Sequence, residues 1–164
     1  MAKLWRTSNF IQEMHKVVVS DTSCLILLSK IGELELLFKT YGEVIITPEV
    51  SQEYGNILPS WIHVISVKNR KQQLDFEKIV DLGEASSIAL ALELKDCLVI
   101  VDDKRGRNLA KNLNIEITGT LGTLLKARQL NVIPKLKPIL DKLRKVDFRI
   151  HPEIELGVLK LVGE

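Results

Sequence analysis

Five acidic residues, spread over four segments of the chain, have the side-chain chemistry of a shared metal site. They are Asp21, Glu53, Glu84, Asp102 and Asp103. Carboxylates that crowd together repel one another unless a cation neutralises them. Oxygen ligands without histidine or cysteine partners favour Mg²⁺ or Mn²⁺ over zinc. Such an ion typically polarises a phosphodiester and activates a water for in-line attack. The acids therefore predict phosphodiester chemistry, provided that the fold brings them together.

The predicted strands alternate with helices along the chain. Short apolar runs rich in β-branched residues at 17–19, 44–46 and 98–101 are typical of strands buried on both faces. A further strand is predicted over 115–117, and the mixed-polarity segment 61–67 could form another. Helices are predicted over 24–31, 33–39, 48 to about 55, 71–80, from 82 onward and over 104–112. Three more are predicted: one that follows the segment 119–122 and ends at 128, one over 133–145 and one over 153–162. This order predicts an α/β fold with three layers, α/β/α, and a central, mainly parallel sheet.

A parallel sheet gathers the five acids at one edge. Asp21 directly follows the first strand, and the pair Asp102 and Asp103 directly follows the strand over 98–101. Glu84 lies at the start of a crossover helix, whose N-terminus is at the same edge, and Glu53 lies in the second turn of another helix. The ligand site of an open parallel sheet lies outside the carboxyl ends of its strands. We therefore expect the acids to meet there.

Each acid alone also has an ordinary structural explanation. Asp21 suits the cap of a helix, and Glu84 suits a first helical turn because the helix dipole favours negative charge there. Asp102 and Asp103 could be a capping pair, and Glu53 a solvated helix residue. The joint pattern is what favours a metal site, since such crowding is otherwise unfavourable.

Ordered motifs give the chain a resemblance to a known family. The motifs DTS, P-x-V-x-x-E, GEA, DD and GTLG occur in this order within 17–37, 47–54, 82–94 and 99–128. The sequence resembles the PIN-domain nucleases, most closely the VapC-like branch of bacterial and archaeal toxins. The resemblance covers about residues 17 to 147, and it implies a PIN-like fold.

The resemblance also implies an activity and a set of site residues. The activity is a metal-dependent endoribonuclease, with Mg²⁺ or Mn²⁺ as cofactor. The implied metal ligands are Asp21, Glu84 and either Asp102 or Asp103, of which Asp103 is the better match by its spacing to the following helix. Glu53 would be a further ligand or a water-positioning base, and Ser23 would orient a ligand or water. The implied biological role is the toxin half of a toxin–antitoxin pair, with a small antitoxin protein and a second copy of the chain as partners.

Basic residues next to the acidic pair are candidates for contacts with RNA phosphates. Lys104, Arg105 and Arg107 follow the pair directly, although they could merely balance nearby carboxylates. A second basic region over 126–145 is typical of a solvated helix face. The overall charge of +2, from 23 basic and 21 acidic residues, does not by itself indicate a nucleic-acid binder.

Composition excludes several other classes of protein. No apolar run approaches the roughly 18 residues of a membrane span. The first residues are not followed by the apolar segment of a secretory signal, so none is predicted. Cys24 and Cys97 lack CxxC spacing, so we expect reduced, buried thiols and a cytoplasmic protein. His15, His63 and His151 form no cluster that would favour zinc or histidine catalysis. Residues 1–16 lie outside the pattern and are predicted to be an extension of a single domain over 17–164.

Two other functions remain open from the sequence. One keeps the fold without catalysis, as an RNA-binding or partner-binding module. The other is a phosphatase-like or flavodoxin-like domain that acts on a small phosphoester. The absence of a GxxxxGK motif disfavours nucleotide binding.

Overall fold

A computed structural model describes residues 16–164, so all of the predicted extension except Lys16 lies outside the described residues. The described strands are β1 (Val17–Ser20), β2 (Val44–Ile46), β3 (Ile62–Val64), β4 (Cys97–Ile100) and β5 (Glu116–Thr118). They form one sheet in the order β3-β2-β1-β4-β5. All of its pairings are parallel, with Val19 opposite Ile45 and Val18 opposite Leu98. The parallel sheet is confirmed, and its strand order differs from the flavodoxin-like order 2-1-3-4-5.

Nine helices accompany these strands within residues 16–164. They are α1 (Thr22–Lys30), α2 (Glu35–Tyr41), α3 (Pro48–Tyr54), α4 (Arg70–Glu77), α5 (Leu82–Leu94), α6 (Lys104–Asn112), α7 (Thr120–Gln129), α8 (Lys137–Arg144) and α9 (Pro152–Leu161). None of them, in this described part, combines the length and the apolar character that a membrane crossing requires.

One helix begins later than the sequence pattern predicts. The predicted helix over 133–145 starts only at Lys137, although Ile133 is buried and packs on the core. Ile133 precedes Pro134, and a residue before proline is disfavoured in the helical region. The carboxylate of Glu164 accepts hydrogen bonds from the amides of Leu136 and Lys137 at 2.8 and 3.2 Å. It thereby satisfies free donors where the helix begins.

The sheet separates two layers of helices, because alternate residues of each strand face opposite sides. Val18 and Ile46 face a large core formed with α1, α2, α3, α7, α8 and α9. Val19 and Ile45 face the other side, where Leu90 of α5 packs on the sheet, and α4 and α6 pack against α5. The three-layer α/β/α architecture is thus confirmed. Loops at the carboxyl ends of the strands join the layers, and the acids lie in these loops and the adjoining helix turns.

Candidate functional site

Asp21 lies between the central strand and the first helix. Its amide donates to the carbonyl of Ile100 at 3.0 Å and so extends the β1–β4 pairing by one residue. Its carboxylate caps α1, because Oδ1 accepts from the amide of Cys24 at 3.4 Å. Oδ2 accepts from the amide of Asp102, also at 3.4 Å. Asp21 is only 2% exposed. This one buried carboxylate therefore both caps α1 and lies beside the other acids.

Glu84 comes from the first turn of α5. The carboxylate of Asp81 caps this helix by accepting from the amide of Glu84 at 2.9 Å. The Glu84 side chain then turns towards α6, where a Cβ added to Gly106 would lie 3.1 Å from its Cδ. Glu84 is 6% exposed. Gly106 therefore leaves room for the buried carboxylate of Glu84 where α5 and α6 meet.

Glu53 reaches the same edge from the last turn of α3. Its Oε2 accepts a hydrogen bond from the hydroxyl of the buried Thr22 at 3.0 Å. A Cβ added to Gly83 would lie 3.0 Å from this same oxygen, so the first turn of α5 approaches Glu53 closely. Glu53 itself is exposed. It therefore presents a carboxylate to solvent beside the buried acids.

The two acids after β4 have different partners. Asp102 is half-buried, and its carboxylate accepts from the backbone amide and from the hydroxyl of Thr120. Asp103 is exposed and caps α6, because its Oδ1 accepts from the amide of Arg105 at 2.9 Å. The charge of Asp102 acts mainly on Asp21, whereas that of Asp103 acts on Glu84.

The predicted phosphate-contacting residues lie in two environments. Lys104 and Arg105, the first two residues of α6, are exposed beside the acids. Ser23 is exposed on α1 and lines the cavity between the acids. Arg107 is half-buried, and its guanidinium donates to the carbonyl of Val101 at 3.1 Å. The structure therefore places Arg107 in the wall of the site and the other three at its surface.

Cations of the protein do not neutralise this group of acids. Within residues 16–164, the ion pairs of lysine and arginine include none of Asp21, Glu53, Asp81, Glu84, Asp102 and Asp103. Burial first, and then the charges of Asp102 and Glu84, raise the pKa of Asp21 to about 8 despite the opposing amide hydrogen bonds. Burial also raises the pKa of Glu84 to about 7, with contributions from Asp81, Asp103 and Glu53. The described lysine and arginine residues thus leave the negative charge of the site unpaired, and a bound proton or an added cation would relieve it.

A small cavity of about 10 Å³ lies between the acids. This volume is close to that of one water molecule. The cavity is lined by Asp21, Thr22, Ser23, Glu53, Asp81 and Glu84. In residues 16–164, no three Asp, Glu, His or Cys side chains already converge as a complete metal cage. The oxygen donors nevertheless fit Mg²⁺, because this ion keeps several waters and typically binds through one or two carboxylates.

A larger cavity of about 310 Å³ lies at the opposite edge of the sheet, where β4 and β5 begin. Both acids of its lining, Asp96 and Glu116, are paired with Lys16. We place the candidate site at the small cavity, since the buried and unneutralised charges are there.

Sequence reasoning missed several residues that shape the site. Asp81 lines the cavity, but an aspartate before a helix is ordinarily read as a cap only. Thr22 donates a hydrogen bond to Glu53, and Thr120 donates one to Asp102. The sequence marks them only by position, since Thr22 follows Asp21 and Thr120 lies in the GTLG motif. Gly83 and Gly106 allow close approach, which a sequence cannot reveal without the neighbouring helices.

Comparison with known proteins adds a family assignment to this geometry. The family model DUF3368, described as PIN domain, matches residues 17–164, nearly the whole chain. Neither the curated proteins nor the solved structures give a significant match. The parallel sheet with acids at its carboxyl edge defines an α/β/α domain with a carboxylate-rich site. The chain belongs to the PIN-domain family. PIN domains are typically nucleases and generally use divalent metal ions.

Proposed function

We propose that this PIN domain is an endoribonuclease that hydrolyses RNA phosphodiester bonds with Mg²⁺ or Mn²⁺. The observation that supports it most is the cluster of acids without a cationic partner in the described chain. Two of its members, Asp21 and Glu84, are almost fully buried and have raised pKa values. Such charge is costly without a counterion. A divalent cation is the counterion that PIN domains generally use.

The proposed metal ligands are Asp21 and Glu84 together with Asp102 or Asp103. When bound, the ion would polarise the scissile phosphodiester and lower the pKa of a coordinated water. The carboxylate of Asp21 is held by two amide hydrogen bonds, and that of Glu84 is packed against Gly106 of α6, so both present oxygen donors from defined positions. Glu53 is exposed and oriented by Thr22, which suits it to accept a proton from water.

Surface groups beside the acids would bind the RNA backbone. Lys104 and Arg105 are exposed at the start of α6 and can contact phosphates on either side of the cleaved bond. Ser23 lines the cavity and can orient a ligand or a water. Arg107, with its guanidinium held by the carbonyl of Val101, can reach a phosphate only from the wall of the site.

The proposed biological role is the toxin of a toxin–antitoxin pair in the cytoplasm. The support is the resemblance of the ordered motifs to the VapC-like branch. On this proposal a small antitoxin protein inhibits the enzyme, and two copies of the chain associate as a homodimer. Co-purification of a small protein encoded beside this chain, which suppresses RNA cleavage when added back, would test the role.

A catalytically silent RNA-binding or partner-binding module is the second candidate. The absence of a complete metal cage among residues 16–164 favours it. On that account the acids would bind a structural ion or remain protonated, and the domain would bind RNA without cutting it.

Cleavage of defined substrates separates the two candidates. Purified protein should cut single-stranded RNA with Mg²⁺ or Mn²⁺, leave DNA of the same sequence intact, and lose activity in EDTA. RNA that is bound but uncut with either ion would support the silent module instead. Cleavage that persists in EDTA would contradict the metal dependence.

A further inference from the structure

Thr120 holds both carboxylate oxygens of Asp102. Its backbone amide donates to Oδ1 at 2.8 Å, and its hydroxyl donates to Oδ2 at 2.5 Å. Thr120 is fully buried at the start of α7, whereas Asp102 is half-buried at the end of β4. Two hydrogen bonds from one rigid residue leave the carboxylate little freedom to rotate.

Gly119 leaves no spare room behind this carboxylate. A Cβ at this position would lie 2.7 Å from Oδ1 of Asp102 and 3.0 Å from Nη1 of Arg107. The backbone of Gly119 is extended, with φ of −121°, so other residues could adopt its conformation. Glycine is therefore needed here for space alone, and the space is taken by the Asp102 side chain.

The held carboxylate is connected to Asp21. The amide of Asp102 donates to Oδ2 of Asp21 at 3.4 Å. The amide of Cys24, in the first turn of α1, donates to the other oxygen of Asp21, Oδ1, also at 3.4 Å. One network from α1 and α7 thus fixes Asp21 and Asp102 relative to each other.

We infer that Thr120, with the space left by Gly119, is a positioning residue that makes Asp102 the metal-binding carboxylate of the pair after β4. This inference rests on the proposed function. Asp103 has a different local role, since it caps α6 at an exposed position. Groups that orient metal ligands typically contribute about 10–100-fold in metal affinity. The hydroxyl of Thr120 should contribute on this scale.

Direct measurement of Mn²⁺ binding tests the inference without relying on catalysis. Calorimetric titration of Thr120→Val should show a Kd for Mn²⁺ raised by about 10–100-fold. Thr120→Ser retains the hydroxyl and should bind close to wild type. The matched control is Thr123→Val, which removes a buried hydroxyl of the same helix that contacts Tyr41 at 3.1 Å and none of the acids. It should bind Mn²⁺ as wild type does.

A second variant covers the case in which Thr120→Val does not fold. Gly119→Ala keeps the hydroxyl but pushes a methyl group against Oδ1 of Asp102, so it should weaken Mn²⁺ binding in the same range. Circular dichroism without metal shows which variants are folded. In folded variants, the Mn²⁺ concentration for half-maximal RNA cleavage should rise while the rate at saturating Mn²⁺ largely recovers. A merely structural role would not move this concentration.

The outcomes separate this inference from the proposed function. Folded Thr120→Val or Gly119→Ala with the wild-type Kd for Mn²⁺ would overturn the inference, even if the wild type cuts RNA. A wild type that binds Mn²⁺ and cuts no RNA would refute the proposed function, and the comparison of Kd values would still decide the inference. A wild type that binds no Mn²⁺ would overturn both.

Discussion

Asp21 is the residue on which the proposed chemistry of the site depends most. It joins the central strand to the first helix, and it shares hydrogen bonds with both α1 and the residue after β4. A carboxylate could serve as a simple cap at this position, but a cap is usually solvated. Asp21 is instead buried beside Asp102 and Glu84, so its charge has an electrostatic cost as well as a capping role.

The pKa of Asp21 predicts how the metal-free protein responds to pH. Its value rises from 3.8 in the unfolded chain to about 8 in the folded protein, and that of Glu84 rises to about 7. Between these limits the folded state binds more protons than the unfolded state, so stability falls as pH rises. Urea unfolding in EDTA should therefore give a smaller free energy of unfolding at pH 8 than at pH 5.

A neutral variant provides the control for this pH dependence. Asp21→Asn removes one titrating group, so the loss of stability between pH 5 and pH 8 should become smaller than in the wild type. Stability that rises with pH in the metal-free wild type, or an unchanged slope in Asp21→Asn, would show that the raised pKa is wrong.

At the residue scale, the sequence predicted the acids but not their partners. Asp21 and Glu84 were identifiable because strand ends and helix starts are visible in the apolar pattern. Thr120 and Asp81 were not identifiable as site residues, because their roles depend on which elements pack together. Between Asp102 and Asp103, the spacing to the following helix favours Asp103, whereas the hydrogen bonds from Thr120 are what support Asp102 in our inference.

Among the helices, α5 and α6 determine where Glu84 can lie. Gly106 of α6 sits against this side chain, and an added Cβ would also lie 2.8 Å from Cγ2 of Val101. The contact with the end of β4 shows that the helix is packed closely on the strand that precedes it. The packing of α6 on β4 and the position of the Glu84 carboxylate therefore both depend on the absence of a side chain at Gly106.

Substitution at this junction should be destabilising. Gly106→Ala should lower the free energy of unfolding by about 1–3 kcal/mol, because overpacking displaces Val101 or Glu84. The control is Gly157→Ala in α9, where an added Cβ has no neighbour within 4 Å among residues 16–164, apart from the backbone of its own helix. That change should stabilise the protein by up to about 1 kcal/mol, because alanine favours helix. Urea unfolding that gives both variants the same sign would contradict this account of the packing.

The elements were more predictable than their boundaries. The runs at 17–19, 44–46 and 98–101 gave correct strands, because β-branched residues in short apolar runs rarely have another stable arrangement. The mixed polarity of 61–67 left β3 uncertain, since it lies at the edge of the sheet and exposes Val64. The start of α8 could not be predicted, because it depends on Glu164 from a distant part of the chain.

For the whole molecule, the overall charge is nearly balanced while the charge of the site is not. The chain carries a net charge of +2, yet the candidate site gathers six acids without an ion pair to lysine or arginine in the described residues. An ion that binds only the folded state should therefore stabilise the entire fold.

Thermal unfolding should record this stabilisation. An ion concentration a hundred times its Kd adds about 2.7 kcal/mol, which raises the Tm of a protein of this size by roughly 5–10 °C. Mn²⁺ should produce such a rise in the wild type and a smaller one in Asp21→Asn. A Tm that is indifferent to millimolar Mg²⁺ and Mn²⁺ would mean that the acids do not form a metal site.

The most direct measurement of the central claim is the single-turnover rate of RNA cleavage by Asp21→Asn. If Asp21 holds the catalytic ion, the rate should fall by about 10²–10³-fold, equal to about 2.7–4 kcal/mol of transition-state stabilisation. The matched control is Asp75→Asn, which changes an exposed aspartate that pairs with Lys78 at the surface and should cut at the wild-type rate. Cleavage by folded Asp21→Asn at the wild-type rate would contradict the assignment of this site as the nuclease centre.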